Sequence, residues 1–474
     1  MKKIYQKNKN LCVFFFIGIT YLVSSTSFIS WYHGLISIYD PEMVDLIAEN
    51  AAYIMHFAGM IVYSVLIKRF KDTLLSPRSF TGLTVVWFVI SFISVISEKA
   101  ALMLILGLMG NLLLGVIFGY YLTSLSVSVT AKNRGIIFGT ACATSCILTY
   151  LLSLPSYGTF LTGKMIWIIY ACLTAVSIFF GNITITGMKE ETIGAKDTRE
   201  RFNPGPQSEA EGLYPDKASL SLITILGITI ILINALQYMG FYFPSIDTVS
   251  QGISLEFSRA FYSIGLILAG LINDRSRKAG LIISSTTLIF PFISLLLQES
   301  LDGSFLLWLL AYIILGFYSV SRVILFSDYA AKSERLLFLA PFGLMFGRFG
   351  EALGVLLGSL LSSHKLIHIM VTAIFFAAAL IMVFIIFGKL YSIYHIHRDA
   401  ASSDPVAAFA SEYSLSSREI DILKKLLDGA TNKEISQEFF ISENTVKFHI
   451  KNIYKKLNCQ NRKELCNLYY SNEE

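Results

Sequence analysis

Apolar runs dominate the first 390 positions, and they recur near 11–30, 50–67, 80–97, 101–124, 134–153, 164–187, 218–243, 255–272, 279–297, 304–326, 336–361 and 366–388. Each approaches the about 20 residues that a helix needs to cross the hydrocarbon of a bilayer. The pattern predicts twelve membrane helices. The second and eighth runs are the most polar, carrying His56 and the pair Glu256 and Arg259. Between the sixth and seventh runs, residues 188–217 are charged and rich in Pro and Gly, which predicts a flexible loop separating six helices from six. Beyond 390 the periodicity changes. A linker over 391–413 leads into a module, 414–474, in which apolar positions recur at helical spacing among many charges. Four short helices are predicted there, about 416–428, 432–439, one ending near Leu457, and 461–470. Gly429 suits the end of the first, and Ser442 the start of the third.

The third of these helices has two faces. On a wheel of about 100° per residue, Val446, Ile450, Ile453 and Leu457 gather on one side, and Lys447, Lys451 and Lys455 form a stripe about 130° away. Asn444 and Phe448 stand beside the stripe. Two helices joined by a turn, Phe440 to Ser442, satisfy the geometry of a helix-turn-helix. A basic, solvent-facing edge on its second helix is what a major groove requires, with cations for phosphates and side chains that reach base edges. Phe448 could meet a thymine methyl or simply cover the domain surface.

Composition supports this division. The chain is 54% hydrophobic and only 15% charged, with a mean hydropathy of +0.61. A soluble protein of that length needs more surface charge, so most of this one is expected in lipid. The placement of Lys and Arg orients it. With the N-terminus inside, the inner loops hold Lys68, Arg69, Lys71, Arg78, Lys132, Arg134, Arg275, Arg277, Lys278, Lys332 and Arg335, against Lys99, Lys164 and Lys365 outside. A multi-pass protein of the cell membrane with both termini cytoplasmic is expected. The N-terminal apolar run lacks a clear cleavage site and is read as a retained first helix. Six cysteines show no CxxC pair and no metal spacing, and no metal or cofactor is expected.

Two resemblances follow. Two groups of six helices around a long inner loop, with Gly270-Leu271-Ile272-Asn273-Asp274-Arg275-Ser276-Arg277-Lys278 between helices eight and nine, resemble the major facilitator superfamily. Arg277 stands where that family usually has Gly, and the loop after helix two, Ile67 to Asp72, lacks the pattern. The resemblance implies that Asp274 and Arg275, with Gly270, fasten neighbouring helix ends on the cytoplasmic side. It also implies a ligand site near the midplane between the halves. Arg348 and Glu351, three residues apart in the eleventh run, are the deepest charges. They could neutralise each other or meet a ligand. Asn111, Asn234 and Gln237 offer polar contacts for a ligand or for neighbouring helices. Arg322, toward the inner end of the tenth run, is expected to snorkel to the interface.

The C-terminal module resembles the LuxR/FixJ/NarL-type DNA-binding domain over its full length. The resemblance rests on Leu415-Ser416-Ser417-Arg418-Glu419, Thr431-Asn432-Lys433-Glu434-Ile435 and Ile441 through His449, followed by Ile453 and Lys456-Leu457. Ser436 stands where Ala is common. The resemblance implies that Lys433 and Thr445 touch phosphates, while Lys447, Phe448 and Lys451 face the major groove. Glu419 and His449 would make contacts inside the domain, and Leu465 and Leu468 on the fourth helix would form a homodimer face.

The expected fold is therefore all-α, a polytopic bundle of six and six helices plus a tetrahelical module. Double-stranded DNA, the lipid bilayer and an unknown small ligand are the expected partners. With no room for a receiver domain before the module, the signal is expected to enter through the membrane domain. An active transporter carrying a regulatory tail is the alternative. An enzyme is disfavoured, because the sequence shows no nucleophile-base pair or phosphate loop.

Overall fold

In a computed structural model, the described residues are 2–40, 43–44, 48, 50–97, 99–153, 165–194, 220–240, 255–289, 305–361, 363–402, 406, 409–410, 413, 415–439 and 441–471. Among them no strand occurs. The chain divides into two compact units, one of residues 1–204 and 214–386, the other of 205–213 and 387–474.

The first unit is a helical bundle. After a short turn of helix, Lys2–Lys7, come α1 (Lys9–Ile36), α2 (Asn50–Leu74), α3 (Pro77–Ile96), α4 (Ala100–Ser128), α5 (Ala131–Ser153) and α6 (Met165–Gly194). The second set is α7 (Leu220–Gly240), α8 (Leu255–Arg275), α9 (Arg277–Ser284), α10 (Phe305–Ala330), α11 (Phe342–Leu361) and α12 (Lys365–Ser402). Ten segments among the described residues are long and apolar enough to cross a membrane. The two remaining runs are α8, with charges at both ends, and α9, which passes into a 3₁₀ turn, Ser285–Ile289. The loop beyond 194, the second half of the ninth run and Phe440 lie outside the described residues, as do the side chains of Glu256 and Arg259.

Small residues set how closely these helices cross. A Cβ on Gly59 would lie 2.0 Å from the Leu112 carbonyl oxygen, and one on Gly115 2.4 Å from that of His56, so α2 and α4 meet backbone to backbone. The second set repeats the device. A Cβ on Gly265 would meet the Ile313 carbonyl oxygen at 2.0 Å and one on Gly316 that of Tyr262 at 2.2 Å, bringing α8 against α10. Because lipid offers no hydrophobic drive between helices, such approach supplies the dispersion contacts that hold them. The equivalence of the two glycine pairs gives the six-plus-six division a structural basis. The two sets meet where α5 packs on α8 and α2 on α11. A Cβ on Gly139 would lie 2.3 Å from the Leu266 carbonyl oxygen at the first of these seams.

The second unit ends in four short helices, α13 (Ser417–Leu427), α14 (Asn432–Glu438), α15 (Glu443–Leu457) and α16 (Arg462–Ser471). Their core is Ile422, Leu423, Leu426, Ile435, Val446, Ile450, Ile453, Leu457, Leu465 and Tyr469. Phe409 and Ala410 join it, with the Phe409 ring 5.2 Å edge-on to Tyr469. The module thus begins before 414. The linker expected over 391–413 is helical as far as Ser402, since α12 runs 38 residues from Lys365.

Candidate functional site

The local chemistry of the module fixes its recognition helix. Ser416 caps α13 and Thr431 caps α14, each in a reciprocal box with the Glu three residues on. Ser442 caps α15, its hydroxyl accepting from the Thr445 N–H at 3.1 Å. Gly429 takes the left-handed φ of 90° that ends the first helix cleanly. Glu419 is buried. Burial alone would push its carboxyl up, but hydrogen bonds from Lys456 at 2.7 Å and from the Ser416 N–H at 2.7 Å outweigh that and hold it below the usual carboxylate range. Arg462 donates to the Ala430 carbonyl oxygen at 2.7 Å and to that of Leu426, so a side chain from α16 occupies the carbonyls at the end of α13. Arg418 lies 4.5 Å over the Phe439 ring and donates to the Phe439 carbonyl oxygen. Sequence reading assigned no role to Arg418, Lys456 or Arg462, because each acts through a partner 21 to 37 residues away.

With the core face of α15 buried, its other face is presented to solvent. Asn444, Lys447, Phe448, Lys451 and Lys455 are all exposed, Phe448 by 61% despite its aromatic ring. Lys433 is exposed at the start of α14, while Thr445 is half-buried and shares a 2.8 Å hydrogen bond with the Ser442 hydroxyl. None of Lys433, Lys447, Lys451 or Lys455 has an ionic partner among the described residues. By contrast Lys456, outside the stripe, is committed to Glu419. His449 is half-buried beside the Phe448 ring. One expectation is corrected. Leu465 is fully buried in the module's own core and has no surface to offer a second copy. Leu468 is half-buried and packs against the same core.

The bundle holds its charges differently. At the end of the bundle that carries the basic loops, Asp328 of α10 accepts from Arg134 of α5 and, at 2.7 Å, from Arg277. Asp274 accepts the Gly135 and Ile136 N–H groups at 2.7 Å each and an Arg277 N–H at 3.1 Å. Gly270 permits this approach, since a Cβ there would stand 2.7 Å from the Gly135 carbonyl oxygen. Of the two arginines in the 270–278 loop, Arg277 joins the network and is buried, whereas Arg275 is exposed. The residue that departs from the family's Gly therefore does the fastening expected of Arg275.

Nearer the midplane, Glu351 binds two guanidiniums, Arg348 at 2.6 Å and Arg322 at 3.0 Å. Arg322 also donates to the Asn234 side-chain oxygen at 2.5 Å. Arg322 is 6% exposed and does not snorkel, because a buried acid and a buried amide accept from its two terminal nitrogens in place. Tyr53 of α2 places its ring 5.1 Å from the Arg348 guanidinium, so this cluster lies on a seam between the two helix sets. Gln237 is fully buried with neither amide atom hydrogen-bonded. Asn111 belongs elsewhere. It donates to the Gly107 carbonyl oxygen of its own helix and lines a small cavity with Ser24, Ser27, Trp31 and Trp87.

Comparison with known proteins agrees with both halves of this description. The family model described as bacterial regulatory proteins, luxR family, matches residues 413–469. The CsgBAC operon transcriptional regulatory protein of Escherichia coli is 54% identical over 48 residues, which is 10% of this chain and 22% of that one. The transcriptional regulatory protein LiaR of Bacillus subtilis is 51% identical over 49 residues, 10% of this chain and 23% of its own. The chain therefore spans under a quarter of the length of these relatives. Among solved structures, the human organic anion transporter MFSD10 (TETRAN) superimposes with a TM-score of 0.54 at 12% identity, covering 80% of this chain and 99% of that one. The C-terminal module is a LuxR-family helix-turn-helix domain, and the bundle has the major facilitator fold.

Proposed function

We propose that the chain is a membrane-embedded, one-component transcriptional regulator. A small ligand bound in the transporter-like bundle shifts its conformation, and the shift alters how the LuxR-type module is presented to double-stranded DNA. The observation that carries this reading is the unpaired edge of Lys447, Lys451 and Lys455 on the helix that such domains place in the major groove. Three cations held together in water repel one another, and polyanionic phosphates relieve that repulsion while releasing condensed counterions. The ligand acts only if it binds the two conformations of the bundle with different affinity. Transport of the ligand is a second reading, supported by likeness to a transporter over nearly its whole length.

The test uses the full chain purified in a neutral detergent and a duplex selected from random sequence. Specific binding is expected, and it should weaken steeply as salt rises. The double variant Lys447→Ala with Lys451→Ala should lose at least about tenfold in affinity, and its salt slope should fall by about two. Unchanged binding by that variant would refute the reading. Uptake of substrate into vesicles by a chain ending at residue 402 addresses the second reading.

A further inference from the structure

The two buried charge clusters of the bundle differ in balance. The network at its end sets Arg134 and Arg277 against Asp274 and Asp328, two cations for two anions. The inner cluster sets Arg322 and Arg348 against Glu351 alone, and neither arginine has another ionic partner among the described residues. One positive charge is left over among the described residues. Glu351 lies nine residues into α11, about 14 Å along a helix that crosses about 30 Å of hydrocarbon, so the excess sits near the midplane. An unbalanced charge at that depth is costly and needs a counterion.

The donors that remain identify the counterion's chemistry. Arg322 spends both terminal nitrogens on Asn234 and Glu351 and, with only its Nε unpartnered, is 6% accessible, whereas the Arg348 side chain is 20% accessible and makes its one charged contact with Glu351. Its Nε has no acceptor. Around it stand phenols from three helices, Tyr53 beneath the guanidinium and Tyr21 and Tyr238 within electrostatic reach. Gln237, one residue before Tyr238, has an amide that is wholly buried and unpartnered. Phe57 and Phe349, on the same two helices as Tyr53 and Arg348, pair at 5.1 Å and extend the apolar wall.

We propose that the bundle's ligand is a small organic monoanion, a carboxylate on an apolar body, whose carboxylate binds Arg348 and whose body lies against the Tyr53 and Phe57 side of the seam. The inference rests on the ligand-sensing reading and names its ligand class. A planar guanidinium offers a carboxylate two parallel hydrogen bonds, and a single anionic group brings the cluster to neutrality. A cationic ligand would double the excess, and a neutral one would leave it standing.

The full-length protein in dodecyl maltoside, without DNA, is heated in the presence of matched pairs: benzoate and benzamide, phenylacetate and phenylacetamide, hexanoate and hexanamide. Potassium chloride and phosphate serve as arms of equal ionic strength. At least one carboxylate is expected to raise the unfolding temperature saturably where its amide does not. In Arg348→Gln the half-saturating concentration should rise at least about tenfold, as for the loss of one charge-assisted hydrogen bond. Arg348→Lys keeps the charge and should retain part of the effect, which covers the case in which the glutamine variant does not fold. Amides that match their carboxylates, a response unchanged in both variants, or equal stabilisation by chloride or phosphate would each overturn the proposal. Because no DNA is present, these outcomes are independent of whether the module binds DNA.

Discussion

Charge is used in opposite ways in the bundle and in the C-terminal module. In the bundle Arg134, Arg277 and Arg322 are each less than 7% exposed, and each donates to a carboxylate. In the module Lys447, Lys451 and Lys455 are exposed with no ionic partner among the described residues, and the one charged side chain buried beneath, Glu419, is held by Lys456. The physics of solvation separates the two. A charge surrounded by hydrocarbon must be satisfied within the protein or the helix will not stay there, so its position reports on architecture. A charge in water is already solvated, and leaving a row of them unpaired keeps them available to a partner. Buried charge that remains unbalanced, as at Arg348, is where the two uses meet.

The contrast can be broken most easily at Asp328. Asp328→Ala removes the carboxylate of buried Arg134 and one of the two carboxylates held by Arg277 and should cost about 3–5 kcal/mol, read as a collapse in the yield of folded, extractable protein or a large fall in unfolding temperature. Lys447→Ala with Lys451→Ala should leave stability within about 0.5 kcal/mol of the parent while DNA affinity falls. If the two substitutions destabilise equally, the distinction between architectural and available charge is lost. Ser416→Ala removes one half of a capping box and should lower the stability of the module by about 1 kcal/mol, seen as faster amide exchange along α13. A smaller effect concerns pH. The folded carboxyl of Glu419 titrates below its unfolded value, so its contribution is complete above about pH 4.3 and is lost as pH falls through the lower folded value. Protection of the α13 amides, taken relative to their intrinsic exchange rate at each pH, should therefore fall on acidification below that point, and Glu419→Gln should flatten the response. Least of all, Phe448→Ala should change stability by less than about 0.5 kcal/mol, because the ring is exposed. Its signature would be altered preference at one base pair in a selection experiment.

Much of this organisation was legible before any coordinates. Most apolar runs coincide with helices, which outlast them by seven residues at the ends of α2 and α6 and by more at α12, which continues to Ser402, whereas the described part of the ninth run holds only the eight-residue α9 and a 3₁₀ turn. Helix propagation does not stop at the edge of the hydrocarbon, so hydropathy marks the span and not the helix. The lysine stripe was readable because it is local, with three residues at spacing four on one helix. Leu465 was misjudged from its place in the family pattern, since only packing shows that it fills the core beside Ile453 and Leu457.

By itself, then, the order of residues determined periodic properties: which segments are apolar enough for lipid, which helix presents cations, and which caps begin and end the module. Those depend on neighbours within one or two turns. Tertiary structure alone decided that Arg277 and not Arg275 closes the network on Asp328, that Arg322 is held inside by Glu351 and Asn234, and that Arg462 caps a helix it does not belong to. Each of these joins groups 29 to 88 residues apart. Which cation reaches which carboxylate is set by where helices cross, and the crossings are set by packing across the whole bundle.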